Sequence, residues 1–388
     1  MSEFRNDEAR RSAAAENLAR RKEELRGSRK RSPKKPERSG GSITLPWRKL
    51  AVVILLVALL ILICFGVKHL LAGAGKDRAS DKIVIGLKGS SVQIVLQGEP
   101  YIENGAFAID RSIGAVDESE IKVKGKVKTD EPGDYTVEYS VKTENGRAKA
   151  VRTVRVLAEE EFGDRASNVP VLMYHWVYTA SDKPDSLDGN WIQDTVLDEQ
   201  MAYLEENEFY FPGWKELRAW VDGKISLPAK CTVVTFDDGR KNFLRNGVPV
   251  LERHHIPVTS FMICGGKSDG AGKIKEFASP YVDFESHTYD MHQQGNTSGH
   301  KGIVGDMSKE EILADMAKAR EVTGNNDAIA YPYGDYTDEM LEAVSEQGMQ
   351  CGFTVEYDRV KQGQDPLKLP RIRVLGTESF STWKDSVE

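Results

Sequence analysis

The sequence predicts a multi-domain protein with a single N-terminal transmembrane helix, a small all-β sandwich and a C-terminal α/β domain that forms a distorted (β/α) barrel. Three observations lead to this fold class. Residues 50–67 carry no charge, and residues 81–157 alternate polar and apolar side chains between turn signals. From residue 167 to residue 388, apolar β-branched runs alternate with helical stretches, as in a parallel sheet that closes on itself.

The first 49 residues form a basic leader. They contain 15 Lys and Arg against 7 Asp and Glu, with few aromatic residues and little periodicity. Such a composition does not supply enough apolar surface for a folded core. We expect residues 1–49 to be a disordered segment on the cytoplasmic side.

The uncharged run at residues 50–67 has 18 residues, which as a helix would span about 27 Å, close to the thickness of the hydrocarbon core. Trp47 and Lys68 flank it as interfacial anchors. The sequence AGA at 72–74 resembles a cleavage site, but both the run and the leader are too long for a signal peptide. We therefore expect a single-pass protein of the cell membrane, with the leader inside and everything after residue 68 outside.

Residues 81–157 have the pattern of half-buried strands. In DYTVEYSVK the apolar positions alternate with polar ones, and turn signals such as ENGA and EPGD recur. This predicts a small antiparallel sandwich, and the order of its pieces resembles the Ig-like repeats of bacterial surface proteins. We expect a passive spacer, with carbohydrate or partner binding as the alternative.

In the C-terminal domain, candidate functional residues follow the strand-like runs. Asp237 and Asp238 come directly after TVVTF, and their alternative interpretation is a turn that caps a helix beginning near Arg240. His287 and His292 follow YVDFES, and they converge only if the chain turns between them. We expect Thr288 to cap a helix that holds His292 in its first turn.

These residue types suit a metal site. Two neutral imidazoles and one carboxylate form a three-ligand set that leaves a position for water, as in zinc or similar first-row sites. In a barrel of parallel strands, chemistry collects at the carboxyl ends, where all these residues are predicted to lie. The turn YPYG after DAIA would add backbone N–H groups that point at a developing negative charge.

At residues 167–376 the chain resembles a known family. TFDDG, SHTYDMH and YPYGDY, in this order, look like the metal-dependent polysaccharide deacetylases of carbohydrate esterase family 4. PVLMYHWV and LPRIRV are similar to the branch that contains exopolysaccharide poly-N-acetylglucosamine deacetylases, and so is the spacing between the two histidines.

The resemblance implies an enzyme that hydrolyses N-acetyl groups from an N-acetylglucosamine-containing polysaccharide, either exopolysaccharide or peptidoglycan, and releases acetate. Asp237 would be the catalytic base, and the backbone N–H of Tyr333 would stabilise the oxyanion. The metal ligands would be Asp238, His287 and His292. The implied cofactor is a divalent metal ion, with zinc first and cobalt or nickel as alternatives.

The sequence departs from the family pattern at two positions. Ala330 and Tyr331 stand where many members have an arginine that orients the base, and Arg371 or Arg373 is a candidate substitute. The family's late Leu-x-His, which supplies the usual general acid, is missing.

His175, which follows an apolar strand, is our candidate for the general acid, and a structural or sugar-stacking role is its alternative. His300 is a weaker candidate. His254 and His255 precede a strand and are expected at the opposite face of the barrel.

The competing hypothesis is a catalytically inactive, membrane-anchored protein that binds glycan or bridges partners. The expected partners are a polysaccharide substrate and, through residues 50–67, the membrane; protein partners are not predicted. The acidic exterior and the lack of a phosphate-cradling loop exclude nucleic acid from the expected partners. Cys231, Cys264 and Cys351 are expected to be buried small apolar residues.

Overall fold

The structure is a computed structural model that describes residues 82–388. The predicted basic segment 1–49 and transmembrane helix 50–67 lie outside the described residues. Between residues 82 and 388, no helix combines the length and the apolar character that crossing a membrane requires.

Residues 82–157 form two sheets around a shared core. One sheet has the order β1-β3-β4 and the other β2-β7-β6-β5. The strands are β1 Ile83–Leu87, β2 Val92–Leu96, β3 Ala106–Asp110, β4 Gly114–Val116, β5 Lys122–Lys124, β6 Gly133–Thr143 and β7 Gly146–Leu157.

The alternation predicted for this sandwich is confirmed on β6, where Val137, Tyr139 and Val141 are buried and the residues between them are not. The expectation of purely antiparallel pairing is wrong for one pair, because β2 lies parallel to β7. A parallel pair needs a long connection, and strands β3 to β6 lie between the two in sequence.

Residues 158–388 form the α/β domain. Its strands are β8 Val171–Tyr174, β9 Trp176–Tyr178, β10 Trp191–Gln193, β11 Val233–Phe236, β12 Val258–Met262, β13 Val282–Ser286, β14 Ala328–Ala330, β15 Cys351–Phe353 and β16 Ile372–Arg373. Its helices are α1 Glu159–Phe162, α2 Asp194–Glu206, α3 Trp214–Val221, α4 Lys241–Asn246, α5 Val248–His254, α6 Gly270–Glu276, α7 Lys309–Thr323, α8 Asp338–Glu346 and α9 Phe380–Val387. As predicted, α7 begins with a capping box between Ser308 and Glu311.

Within the described chain, seven strands form one parallel sheet in the order β15-β14-β13-β12-β11-β8-β16. The two ends of this order meet. Leu369 N–H donates to Gly352 O at 2.8 Å and Thr354 N–H donates to Leu369 O at 2.9 Å, so the segment that leads into β16 also bonds to β15. The sheet therefore curls into a barrel, as the sequence predicted.

The barrel has two different ends. The carboxyl ends of the strands form an open mouth, which holds the candidate site. The sandwich lies against segments that lead into the amino ends: Arg111 donates to Ala278 O before β13, and Glu118 N–H donates to Gly324 O before β14. Phe107 and Ile109 of β3 belong to the same apolar core as the outer face of the barrel strands. Cys231, Cys264 and Cys351 are buried and unpaired, as expected.

Candidate active site at the mouth of the barrel

The three predicted metal ligands lie close together at the mouth. Asp238 follows β11, and its Oδ1 lies 3.8 Å from Nε2 of His287 and 3.7 Å from Nε2 of His292. One donor atom from each of the three residues lies within 4.8 Å of the others. This spacing allows all three atoms to contact one ion placed between them.

The backbone at the mouth is strained where these residues are placed. Six non-glycine residues of the described chain have positive φ, and three of them are at the site: Asp238 (68°), Thr288 (68°) and Tyr333 (62°). Such conformations cost free energy and concentrate at functional sites. Gly239 also has positive φ, and a Cβ there would clash with Met262. The glycine of TFDDG is thus required by the turn that exposes Asp238.

The predicted helix after Thr288 is wrong. The chain does change direction there, but residues 287–302 form an irregular loop, and Thr288 makes the turn through its left-handed φ. Its hydroxyl accepts a hydrogen bond from Met291 N–H at 3.2 Å. A left-handed residue directly after His287 ends the strand before a helix can begin, and the loop returns His292 to the mouth.

The alternative that the two aspartates are helix caps is also wrong. Helix α4 begins at Lys241 after Arg240, and no side chain caps its first turn. Instead, Trp176 Nε1–H donates to Asp238 Oδ2 at 2.9 Å. Arg240 lies 3.4 Å from the same oxygen and stacks over the Trp176 ring at 4.1 Å. Oδ1 of Asp238 is thereby left to face the two imidazoles.

The orientation of His287 fits metal ligation. Its Nδ1 lies 2.7 Å from Ala330 O, and because a carbonyl only accepts, Nδ1 carries the proton and Nε2 presents a lone pair to the cluster. Burial, followed by the neighbouring His287, lowers the pKa of His292, which favours the neutral imidazole that metals bind. The donor set therefore fits a divalent first-row ion.

Asp237 is buried and paired with an arginine from the segment that leads into β16, two strands away from β11 in the sheet. Arg371 donates from both terminal nitrogens to the two carboxylate oxygens at 2.7 Å each, and its side chain is fully buried. Burial would raise the pKa of Asp237, but the Arg371 guanidinium outweighs it and lowers the pKa to about 2. Of the two predicted substitutes for the family arginine, Arg371 is thus the one that reaches the carboxylate. Arg373 instead donates to Asn190 Oδ1 at 2.6 Å.

His175 lies in the same cleft. Its Nδ1 is buried and has no hydrogen-bond partner among residues 82–388. Burial lowers the pKa of the ring, with Asp237 and Asp238 acting in the opposite direction. An unpartnered imidazole nitrogen beside two carboxylates is suited to exchange a proton with a bound molecule.

The other histidines lie elsewhere. His300 Nδ1 contacts Asp335 Oδ1 at 2.7 Å in the loop beside the YPYG turn. His254 lies between Asp198 and Glu205 of α2 and, with His255, precedes β12 at its amino end. Of these histidines and His175, only His175 lines the cleft.

Tyr333 lies in the turn after β14. Its ring packs 4.5 Å from that of His292, and its backbone N–H makes no hydrogen bond to another described residue. The free N–H is available to an oxyanion in the cleft.

The cleft at the mouth has a volume of about 300 Å³. Sequence reasoning missed several of its lining side chains, which are Trp176, Asn190, Arg240, Lys301 and Val355. Trp176 had a usable signal, because it directly follows His175 in LMYHWV. The others lie in loops whose paths the sequence does not specify.

Two family models match the chain. The model described as polysaccharide deacetylase matches residues 224–352, which include Asp237, Asp238, His287, His292 and Tyr333. The model described as the Ig-like domain of bacterial surface proteins matches residues 85–156.

The chain is similar to curated proteins named poly-beta-1,6-N-acetyl-D-glucosamine N-deacetylase. That of Staphylococcus epidermidis is 29% identical over 206 residues, which are 49% of this chain and 70% of the relative. That of Staphylococcus aureus strain MRSA252 is 25% identical over 198 residues, which are 47% of this chain and 67% of the relative.

Two solved structures have a similar fold. The Streptococcus pyogenes deacetylase PplD in complex with acetate has a TM-score of 0.49 and 22% identity, over 57% of this chain and 98% of that chain. IcaB from Ammonifex degensii has a TM-score of 0.46 and 26% identity, over 57% of this chain and 97% of that chain. The chain therefore contains a polysaccharide deacetylase domain, and a bacterial Ig-like domain precedes it.

Proposed function

We propose that the chain hydrolyses N-acetyl groups of an N-acetylglucosamine-containing cell-surface polysaccharide with the help of a divalent metal ion, and releases acetate. The observation that carries this proposal is the pairing of two adjacent carboxylates with different partners. Asp237 is held by Arg371, while Asp238 faces His287 and His292. A site with both a base and a three-ligand set is suited to activate water and not only to bind sugar.

The three ligands Asp238, His287 and His292 would hold the ion. When bound, a divalent cation polarises an amide carbonyl and lowers the pKa of water at the site. Two nitrogens and one carboxylate favour zinc, with cobalt and nickel as the next candidates.

Asp237 would act as the base. Its pKa of about 2 keeps it ionised at neutral pH, and Arg371 fixes the direction of its oxygens. It takes one proton from water as the water oxygen attacks the acetyl carbonyl carbon. The N–H of Tyr333 would donate to the carbonyl oxygen as negative charge develops there.

The carbon–nitrogen bond then breaks, and the departing amine needs a proton. His175 is our candidate donor, because it lies in the same cleft with an unpartnered nitrogen. The products are acetate and a glucosamine unit.

The substrate class is supported by the names of the relatives, which are poly-N-acetylglucosamine deacetylases. Peptidoglycan, which also contains N-acetylglucosamine, is the alternative substrate. An inactive glycan-binding protein is the alternative function, but such a protein has no need of a carboxylate base clamped by Arg371 beside the ligand set.

Acetate release from β-1,6-linked N-acetylglucosamine oligomers and from peptidoglycan fragments tests the proposal. We expect release by the purified chain, loss with a chelator, and recovery on adding zinc, cobalt or nickel. The Asp237→Asn variant is the blank. Absence of release from both substrates with all three metals would support the glycan-binding alternative.

We also propose that residues 50–67 anchor the enzyme in the cell membrane with the catalytic domain outside. The support is the uncharged run and its basic leader. The anchored chain should fractionate with membranes, and protease added to cells without their wall should digest the catalytic domain but spare residues 1–49. Recovery of an intact soluble chain would contradict the anchor.

A further inference from the structure

The floor of the barrel, at the amino ends of β13 and β14, contains a second group of acidic residues. Asp283 and Glu285 lie on β13, and Asp327 lies directly before β14; their exposed fractions are 5%, 0% and 3%. Asn325 Nδ2 donates to Asp283 at 2.5 Å, and Glu285 Oε2 accepts from the N–H groups of Asp327 and Ala328. Burial raises the pKa of Asp283 to about 7 and the pKa of Glu285 well above its usual range, and a nearby cation acts in the opposite direction. Any negative charge that this buried group carries therefore needs a counter-charge.

The counter-charge comes from the Ig-like domain. Lys88, in the loop after β1, is 2% exposed, and its Nζ lies 2.6 Å from Asp327, 2.8 Å from Glu118 and 4.0 Å from Glu285. Arg152 of β7 donates to the carbonyl of Lys88 and so fixes the loop. Burial lowers the pKa of Lys88, but the surrounding carboxylates outweigh it and keep the ammonium charged.

Lys88 is one of several contacts that seal the floor. Ser90 N–H donates to Phe211 O at 2.8 Å, and Glu216 N–H donates to Asn104 Oδ1 at 3.1 Å. The Asn104 amide also donates to the buried Glu216 carboxylate. Buried polar contacts between the two domains indicate that they form one structural unit and are not joined by a loose tether.

The floor and the mouth are connected by one strand. Side chains on a strand alternate, so Asp283, Glu285 and His287 share the inner side of β13. Glu285 therefore lies two residues from a predicted metal ligand and 4.0 Å from the lysine of the Ig-like domain. A shift of β13 caused by repulsion at the floor would move His287 at the mouth.

We propose that the Ig-like domain is the floor of the catalytic barrel, not a passive spacer, and that Lys88 is a positioning residue that holds β13 in the register required by His287. The role in metal binding rests on the proposed function. Without the ammonium group, Asp327 and the carboxyl groups beside it remain buried without a cation, and the water that enters to solvate them displaces the strand. Misplacement of a ligating group by a fraction of an ångström is enough to weaken a metal site.

The test compares Lys88→Met with a matched control in the full-length chain. Lys215→Met removes another ammonium, 3.6 Å from the same Asp327, but from a side chain that is 30% exposed. The readouts are the dissociation constants for zinc and cobalt by chelator competition, and kcat and KM, all at a temperature where circular dichroism shows each variant folded.

For Lys88→Met we expect about tenfold weaker metal binding, as for other changes behind a ligand, and a lower kcat at saturating substrate with KM changed less than about twofold. Lys215→Met should bind metal as the unchanged chain does. The double variant Lys88→Met/Asp327→Asn should recover part of the loss, because it removes one of the opposed charges.

Wild-type metal affinity in Lys88→Met would overturn the inference, whereas absence of metal binding in the unchanged chain would overturn the proposed function itself. If Lys88→Met does not fold, the inference is tested by the folding and the metal binding of the double variant. Recovery of folding and metal binding in the double variant supports the counter-charge role of Lys88, and failure of both contradicts it.

Discussion

Both ends of the barrel hold clustered acidic side chains, but different groups lie against these side chains at the two ends. At the floor, the ammonium of Lys88 lies among Asp327, Glu118 and Glu285 and is closed off from solvent. At the mouth, Asp238 faces two imidazoles across a cleft of about 300 Å³.

This comparison contrasts a structural ion cluster with a proposed metal site, both of which depend on strand β13. The floor carries its own cation, whereas the mouth offers one carboxylate, two imidazoles and space to an ion from solution. Asp237, next to the proposed ligand Asp238, resembles the structural ion cluster at the floor, because the buried guanidinium of Arg371 neutralises its charge. The predictions below probe this division, from the largest expected effect to the smallest.

Asp238→Asn should have the largest effect, because it should reduce both metal binding and hydrolysis. It keeps the shape of the side chain but removes the only carboxylate of the three-ligand set, so metal affinity should fall by more than about 100-fold, beyond the usual effect of residues behind the ligands. Chelator competition measures the affinity, and acetate release should fall with it. Unchanged zinc binding would show that the mouth is not a metal site.

Asp237→Asn, the same change one residue earlier, should lower the rate of hydrolysis and leave metal binding almost unchanged. We expect kcat to fall by about 1,000-fold, since a positioned base contributes roughly 10² to 10⁴ in rate. Metal affinity should stay within about threefold of the unchanged chain, because Asp237 contacts Arg371 and not the ligand cluster. A parallel loss of metal would contradict its assignment as base.

His175→Gln should lower kcat for the N-acetyl substrate by about 100-fold, because the amine leaves only with a proton. An aryl acetate ester, whose phenolate leaves unprotonated, should be hydrolysed with much less change. His300→Gln is the control, since His300 contacts Asp335. An equal loss for both substrates would mean that His175 is not the proton donor.

Arg371→Lys should have the smallest effect at neutral pH, a loss of less than about tenfold. Lysine keeps the charge but not the two-point contact, so the pKa of Asp237 should rise from about 2. A base with a higher pKa is protonated at higher pH, so the acidic limb of kcat/KM should move toward neutral pH while the alkaline side is unchanged.

Arg373→Lys is the control for that shift, because Arg373 contacts Asn190. An acidic limb that moves in this variant and not in Arg371→Lys would assign the orienting role to Arg373.

The sequence was sufficient for the features that depend on local pattern. The alternation of apolar and helical segments after residue 167 predicted the barrel. Functional residues of such barrels lie at the carboxyl ends of the strands, and this rule predicted that Asp238 and His287 lie at the same mouth. The alternation in β6 predicted which side of the sandwich is buried.

The features that the sequence missed or left open depend on contacts between distant residues. The contact of Lys88 with Asp327 was missed, and the choice between Arg371 and Arg373 as the partner of Asp237 was left open. Arg371 and Asp237 are 134 positions apart, and Lys88 and Asp327 are 239 apart. No periodicity reports such a pair, because it arises only when the barrel closes and the sandwich docks. The false helix at Thr288 has a different cause, since propensity allowed it and a single left-handed residue excluded it.

The segment that closes the sheet between β8 and β15, residues 369–373, also carries the guanidinium that pairs with Asp237. In a chain that lacks residues 369–373, β8 and β15 would have no segment between them and Asp237 would lack its partner. We therefore expect a chain truncated before Leu369 to keep the three proposed metal ligands and yet to hydrolyse its substrate poorly, because the proposed base is no longer held by Arg371.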